Sequence, residues 1–342
     1  MTAAGRGRAT FAALLLALPL AMAVAVLAGS VPLPLLASAS ALLSQFGLPA
    51  FSDPLGPAHE TILLGVRAPR VLLAALVGGG LGVVGASLQS VFRNPLADSG
   101  LLGVGAGAAL GALLAVRAGW SSQVFLALPL CAFLGALVAI GLVYVLAHAG
   151  GRPTLHGLLL TGIAVSALAG AGSSLLLVAT EEFRVKTVLF WLAGGLEGRG
   201  WTHVELAAGF ILGGSGLLLG LARPLDLLSL GEEEAASLGL RVHLARAAIL
   251  TLASLVAGAA TAVSGSVPFV GLVAPHALRP LVGALGRRLL PASFLAGALL
   301  VVVADLAART ASDRLELPLG ALTAFVGAPY FLVALRGSEA RA

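Results

Sequence analysis

Few residues in this chain of 342 are equipped for bond-making chemistry, and they stand far apart from one another. Lys186 is the only lysine, so no Gly-x-x-x-x-Gly-Lys-Ser/Thr loop exists to cradle phosphates, and ATP is not bound by that route. There is no His-Glu-x-x-His metal pair, no Gly-x-Ser-x-Gly nucleophile elbow and no carboxylate pair deep in an apolar run. That argues against a membrane enzyme or a proton-relay pump. Cys131, the single cysteine, lies inside an apolar run and offers neither a disulfide framework nor a thiolate metal site. His276 stands alone beside a proline and reads as a packing or helix-end residue. No catalytic residue, metal site or cofactor is expected.

Charges gathered in the polar joints point instead to contacts with other proteins. The joint from Arg223 to Arg241 carries Ser229 three residues before Glu232, the spacing of a capping box. Glu233 and Glu234 suit the positive end of a helix, and Gly239 is placed to stop one. A short helix outside the membrane is expected, either a solvated connector or a rigid knob for a soluble partner. For Arg309 the bland reading is a pair with Asp305 one helical turn away together with snorkelling of its long side chain at the helix end.

The elements that hold these joints apart follow from composition. With 59% hydrophobic and 10% charged residues, the chain lacks the charged surface of a soluble domain. Spanning the bilayer core takes roughly 20 apolar residues, so the chain has room for about ten helices. A β-barrel would alternate in polarity, whereas Leu244 to Val263 is apolar on every face. The apolar runs fall near 11–36, 71–92, 100–116, 122–147, 155–179, 203–222, 244–263, 268–284, 290–308 and 318–335. The predicted fold is an all-α integral membrane protein of about ten spans, a single domain over 1–342 with the 223–243 segment inside it.

Arg6, Arg8 and Ala37-Ser38-Ala39 around the first run imitate a signal peptide, but 11–36 is too long for one and reads as a retained helix. With the N-terminus inside, Arg93, Arg152, Arg223, Arg241, Arg287, Arg288, Arg336 and Arg341 fall on the cytoplasmic side. Both termini are then cytoplasmic. Arg67, Arg70, Arg184, Lys186, Arg309 and Arg314 fall outside and need another reason. Arginines scattered at helix ends, without a basic stripe or an aromatic platform, exclude nucleic acid despite the net charge of +5. Small residues at four-residue spacing, Gly78-Gly82-Ala86 and Gly103-Gly107-Gly111, suit close helix packing. Pro268, Pro275 and Pro280 should break the eighth span. A gradient-driven carrier would show inverted repeats and intramembrane acids, which are not found, and a purely structural protein would need neither the broken span nor the organised joint.

A series of segments gives the chain a family resemblance. Arg67-Ala-Pro-Arg70, Leu88-Gln89, Phe92-Arg93-Asn94-Pro95-Leu96-Ala97-Asp98, Leu101-Leu102-Gly103-Val104, Gly231-Glu232 through Leu238-Gly239, Phe269 through His276, Ala304-Asp305 and Glu316 through Pro329 occur in order. In these the chain resembles the FecCD/BtuC-type permeases of ABC importers from about Arg67 to Leu335. Ser99 and Gly105 depart from the family's more usual proline and serine.

The resemblance implies two permease copies around one pathway in the bacterial inner membrane, two cytoplasmic ATPases and an extracytoplasmic binding protein. The cargo it implies is an iron chelate, siderophore or haem, with vitamin B12 as the alternative. By resemblance, Ser229, Gly231, Glu232, Glu233, Glu234, Leu238 and Gly239 couple to the ATPase, and Arg67, Arg70 and Arg309 meet the binding protein. By resemblance too, Asn94, Leu96, Thr154 and Leu155 form the inner gate, with Thr180 and Glu181 at the outer neck. Hydroxyls such as Thr161, Ser166, Ser173 and Ser174 would line an otherwise apolar pathway.

Overall fold

The computed structural model describes residues 3–339 apart from Phe46, Phe125, 149–154 and 312–315, and all its regular structure among these residues is helical. Among the described residues the bundle is formed by α1 Ala3–Leu27, α2 Pro57–Phe92, α3 Val104–Arg117, α4 Ala127–His148 and α5 Leu155–Val178, then α6 Trp201–Gly220, α7 Val242–Ser264, α8 Val270–Val282, α9 Gly286–Thr310 and α10 Leu319–Glu339. Seven helices in the described residues are long and apolar enough to cross a membrane, and α3, α8 and α10 contribute shorter apolar lengths. Short helices fill the joints, among them Leu35–Ser44, Glu182–Ala193, Ala222–Leu230 and Glu232–Ser237.

Two expected spans are corrected. The run 11–36 is not one helix: α1 ends at Leu27 and a separate helix begins at Leu35. Pro32 and Pro34 lie in the gap, and each removes a backbone donor and biases its predecessor toward extended backbone. The eighth span is short rather than broken, since α8 runs through Pro275 and Pro280 from a start at Val270. A proline at 275 leaves the carbonyl of Gly271 without its usual donor. The Gln89 amide of α2 donates to that carbonyl at 3.3 Å, so a neighbouring helix repairs the defect.

The core is a seam between α2 and α9, with α7, α6 and α8 packed around it. Gly78 and Gly82 lie directly against the backbone of Gly297 and Ser293, and Gly107 and Gly111 against Gly135 and Cys131 of α4. Both small-residue stripes are therefore internal packing faces, where missing side chains let helices approach to dispersion contact. Immediately before Pro69, residues Thr61–Arg67 form a π-turn, which widens the helix where the proline ring would collide with the Gly65 carbonyl. This turn leads into Arg67 and Arg70.

Candidate functional site

Charged groups collect at two ends of the bundle. At the end that holds the joint between α6 and α7, the chain makes a bent pair of helices, Ala222–Leu230 and Glu232–Ser237. The elbow is Gly231, at φ 141° and ψ 158°, a conformation almost closed to residues with a side chain. Ser229 does not cap the second helix as its spacing predicts. It belongs to the first, where its hydroxyl donates to the Asp226 carbonyl at 2.6 Å, and Gly231 takes the N-cap position. The stop at Gly239 is as expected: with φ 83° it lets its own N–H donate to Ala236 and that of Leu240 to Ala235, closing the helix end.

Two carboxylates bind this pair to the bundle. Asp226 Oδ1 accepts the N–H of Gly286 at 2.7 Å, placing a negative charge at the start of α9. The Glu232 carboxylate lies 2.9 Å from Arg246 Nη2 of α7. Glu232 is thus committed to the bundle, while Glu233, Glu234, Ser237, Leu230 and Leu238 stay exposed. The exposed part of this joint is a short helix bearing two acids, with one exposed leucine before it and one after it.

The loop after α2 lies at the same end. Arg93 turns the chain with φ 51°, and the Asn94 side chain accepts the Leu96 N–H at 2.9 Å, which leaves Leu96 exposed. Asp98 caps the next turn through the Ser99 N–H at 2.6 Å. Burial pushes its carboxyl above the ordinary range, against the pull of the Ser99 N–H and hydroxyl. This turn rests on the first part of α5, where Gly162 lies against the backbone of Leu101 and Leu102. Leu155 begins α5 at that end, and Thr154 lies outside the described residues. Behind the loop, Gln89 accepts a bond from Arg279 Nη2 at 3.0 Å.

At the opposite end the arginines are not laid out as an exposed surface. Arg67, Arg70 and Arg309 are only 5%, 8% and 4% exposed. Arg67 donates to the carbonyls of Leu27, at 2.8 Å, and Val31, and Arg309 to those of Ala28, at 3.1 Å, and Ala25. Both close the C-terminal end of α1, where orphan carbonyls and a negative helix dipole favour a cation. Arg70 reaches Asp305 at 3.0 Å and takes Glu316 bidentately at 3.1 and 2.9 Å. Asp305 in turn pairs with Arg309 at 3.3 Å, one turn along α9. The helical-turn pair is present, and snorkelling does not describe a side chain this buried.

Nearby, Thr180 is buried with its hydroxyl turned back to Leu176, and Glu181 is exposed at the start of the Glu182–Ala193 helix. Of the proposed pathway hydroxyls, Ser166 and Ser174 also bond within their own helix. A cavity of about 400 Å³ opens here, bounded by Trp191, Phe190, Arg199, Arg70 and Glu316.

The model of the FecCD transport family matches residues 14–337. The chain belongs to the FecCD family. Within it, the chain is 41% identical to the cobalamin import system permease protein BtuC of Halobacterium salinarum, over 92% of this chain and 82% of that one. It is 43% identical to the hemin transport system permease protein HmuU of Yersinia pestis, over 82% and 85%. A solved structure of an inward-facing, metal-chelate type ABC transporter superposes with a TM-score of 0.84 at 32% identity, covering 96% of this chain and 99% of that one. This FecCD chain is a multi-pass permease subunit of an ABC transporter.

Several residues that hold the FecCD site together carry no role in the sequence reading. Asp226 and Arg246 look like ordinary joint and helix-end charges, and nothing in their spacing names Gly286 or Glu232 as partner. Gln89 is visible as a polar residue in an apolar run, which is the one local signal of a buried bond.

Proposed function

We propose that the chain is the membrane half of a binding-protein-dependent importer that moves a metal chelate, a siderophore complex or haem, into the cytoplasm. The hydrolysis of ATP falls to a separate subunit. The working assembly is two copies of the chain, two ATPases docked on the cytoplasmic side and one extracytoplasmic binding protein, in the bacterial inner membrane with both termini inside. The whole chain, 1–342, acts as one domain with 223–243 as its coupling segment. The observation that carries this reading is the rigid, partly unpartnered helix Glu232–Ser237 fastened to α7 and α9.

In this scheme Glu233, Glu234 and Leu238 meet the ATPase, Gly231 and Gly239 set the helix direction, Glu232 fixes it to α7, and Ser229 stiffens the preceding turn. A push on the helix then passes to α7 and α9 together. Arg67, Arg70 and Arg309 support binding-protein docking by holding the outer ends of α1, α2 and α9 in place, and the partly exposed Glu316 offers a charge at the rim. Asn94, Leu96 and Leu155, with Thr154, form the inner gate, and Thr180 and Glu181 the outer neck. The exposed apolar face of α5, which includes Leu160, Ile163 and Leu168, forms a pathway wall between copies. Such a wall holds a bulky chelate weakly and releases it.

A corrinoid is the second reading, favoured by the cobalamin permease relative, which aligns with 92% of this chain. Reconstitution in proteoliposomes separates them. Uptake of a ferric chelate or haem should require ATP, the ATPase and the loaded binding protein together. Uptake of corrin alone would move the cargo to vitamin B12, and uptake that follows a proton or sodium gradient without nucleotide would overturn the importer reading.

A further inference from the structure

A second site lies at the joint end, beside the start of α9. A cavity of about 470 Å³ is bounded by Arg8, Phe11 and Leu15 of α1 and by Arg287, Arg288 and Pro291 of α9. None of its lining residues is acidic. All three arginines are exposed. Arg287 and Arg288 occupy the first turn of α9, the positive end of that helix, where cations are disfavoured. Asp226 supplies one negative charge there, through Gly286, against three guanidinium charges. The cavity wall is therefore net positive.

The apolar part of the cavity identifies its carrier. Phe11 and Leu15 lie one and two turns beyond Arg8 along α1, about 5 and 10 Å deeper. From there the same face continues through Pro19, which is exposed, and Met22, which is half-buried. A phosphate held at the arginines would thus stand at the head of an unbroken apolar track running into the membrane. We propose that this cavity binds an anionic phospholipid, its phosphate on Arg8, Arg287 and Arg288 and an acyl chain along α1. Guanidinium forks suit phosphate oxygens better than point charges do. None of its lining residues belongs to the helix Glu232–Ser237, and the proposal stands whatever the transported cargo is.

The test is lipid binding to the purified full chain, by native mass spectrometry and by thermal shift, with phosphatidylglycerol compared with phosphatidylcholine of the same acyl chains. The wild-type chain should retain phosphatidylglycerol preferentially and gain thermal stability from it. The combined Arg8→Gln, Arg287→Gln, Arg288→Gln variant should lose that preference, with binding weakened about five-fold per arginine removed. Arg6→Gln serves as the charge control, because position 6 lies roughly 200° around α1 from position 8. It should keep the preference. Glycerol 3-phosphate, a headgroup without chains, should not displace the lipid. An equal loss in Arg6→Gln would reduce the effect to general surface charge, and efficient displacement by glycerol 3-phosphate would make the site one for soluble anions. Either result overturns the proposal, as does an unchanged preference in the triple variant.

Discussion

Carboxylates and arginines are used in opposite ways at the two ends of the bundle. At the end away from the joint, Arg67, Arg70, Arg309 and Asp305 are buried and spend their charge on one another and on the carbonyls that end α1. At the joint end, Asp226 and Glu232 fasten a helix pair to the bundle, but Glu233 and Glu234 face solvent. A buried charge stripped of its partner is expensive because no water replaces that partner, whereas an exposed one is available for a contact still to be made. One end therefore has its charges paired inside the bundle, and the other keeps two of its acids in solvent.

The sharpest way to break this contrast is Asp305→Ala. It would leave Arg70 and Arg309 buried without their shared carboxylate, and the expected loss of stability is about 3–5 kcal/mol. Thermal unfolding in nanodiscs measures it. A change no larger than that of a surface substitution would mean the outer cluster is wet and replaceable. Next comes Gly231→Ala at the elbow. A backbone at φ 141° admits a side chain only with strain, so a cost of about 1–3 kcal/mol is expected, with a lowered yield of ATPase co-purified with the permease. Full stability together with full capture would show that the elbow direction does not matter.

Glu232→Gln tests the half-exposed pair. Arg246 is 3% exposed, but the Glu232 side chain is 41% exposed, so solvent screening should hold the loss to about 1 kcal/mol. Unfolding measured with and without added salt distinguishes this pair from the outer cluster, which should respond far less to salt. The smallest stability effect belongs to Glu233→Arg, under about 1 kcal/mol from the first-turn helix dipole. Its consequence should lie in ATPase capture and transport, which like-charge contact would reduce. Normal capture and uptake in a correctly inserted Glu233→Arg protein would remove the coupling role from this helix.

The spans were legible because their signal is local. Each of the ten apolar runs in the sequence corresponds to an apolar helix among the described residues, although the helix of the second run begins well before it, at Pro57, and the two spans misjudged in continuity are those where a proline acts through its neighbours. The first run looked continuous because Val31 to Leu36 is apolar apart from two prolines whose effect is conformational rather than hydropathic. The eighth looked broken because Pro275 removes a donor, and the compensating amide comes from Gln89, far away in sequence. Ser229 and Glu232 have capping-box spacing, yet Gly231 bends the chain between them, so a pattern meant for one helix is divided between two.

Composition and the order of short motifs determined by themselves that this chain is a polytopic helical permease, since lipid forces every backbone donor into a helix or a closed barrel. They also assigned the acids of the joint and Arg67, Arg70 and Arg309 to opposite ends of the bundle, where the structure has them. Whether each charge is spent or available was decided only by the tertiary structure. Arg67 and Arg309 meet the end of α1, Asp226 meets the start of α9, and Glu232 meets Arg246 because helices distant in sequence pack side by side. A charge costs little in water and much in a packed interior, so its role follows from its surroundings, which only the folded chain supplies.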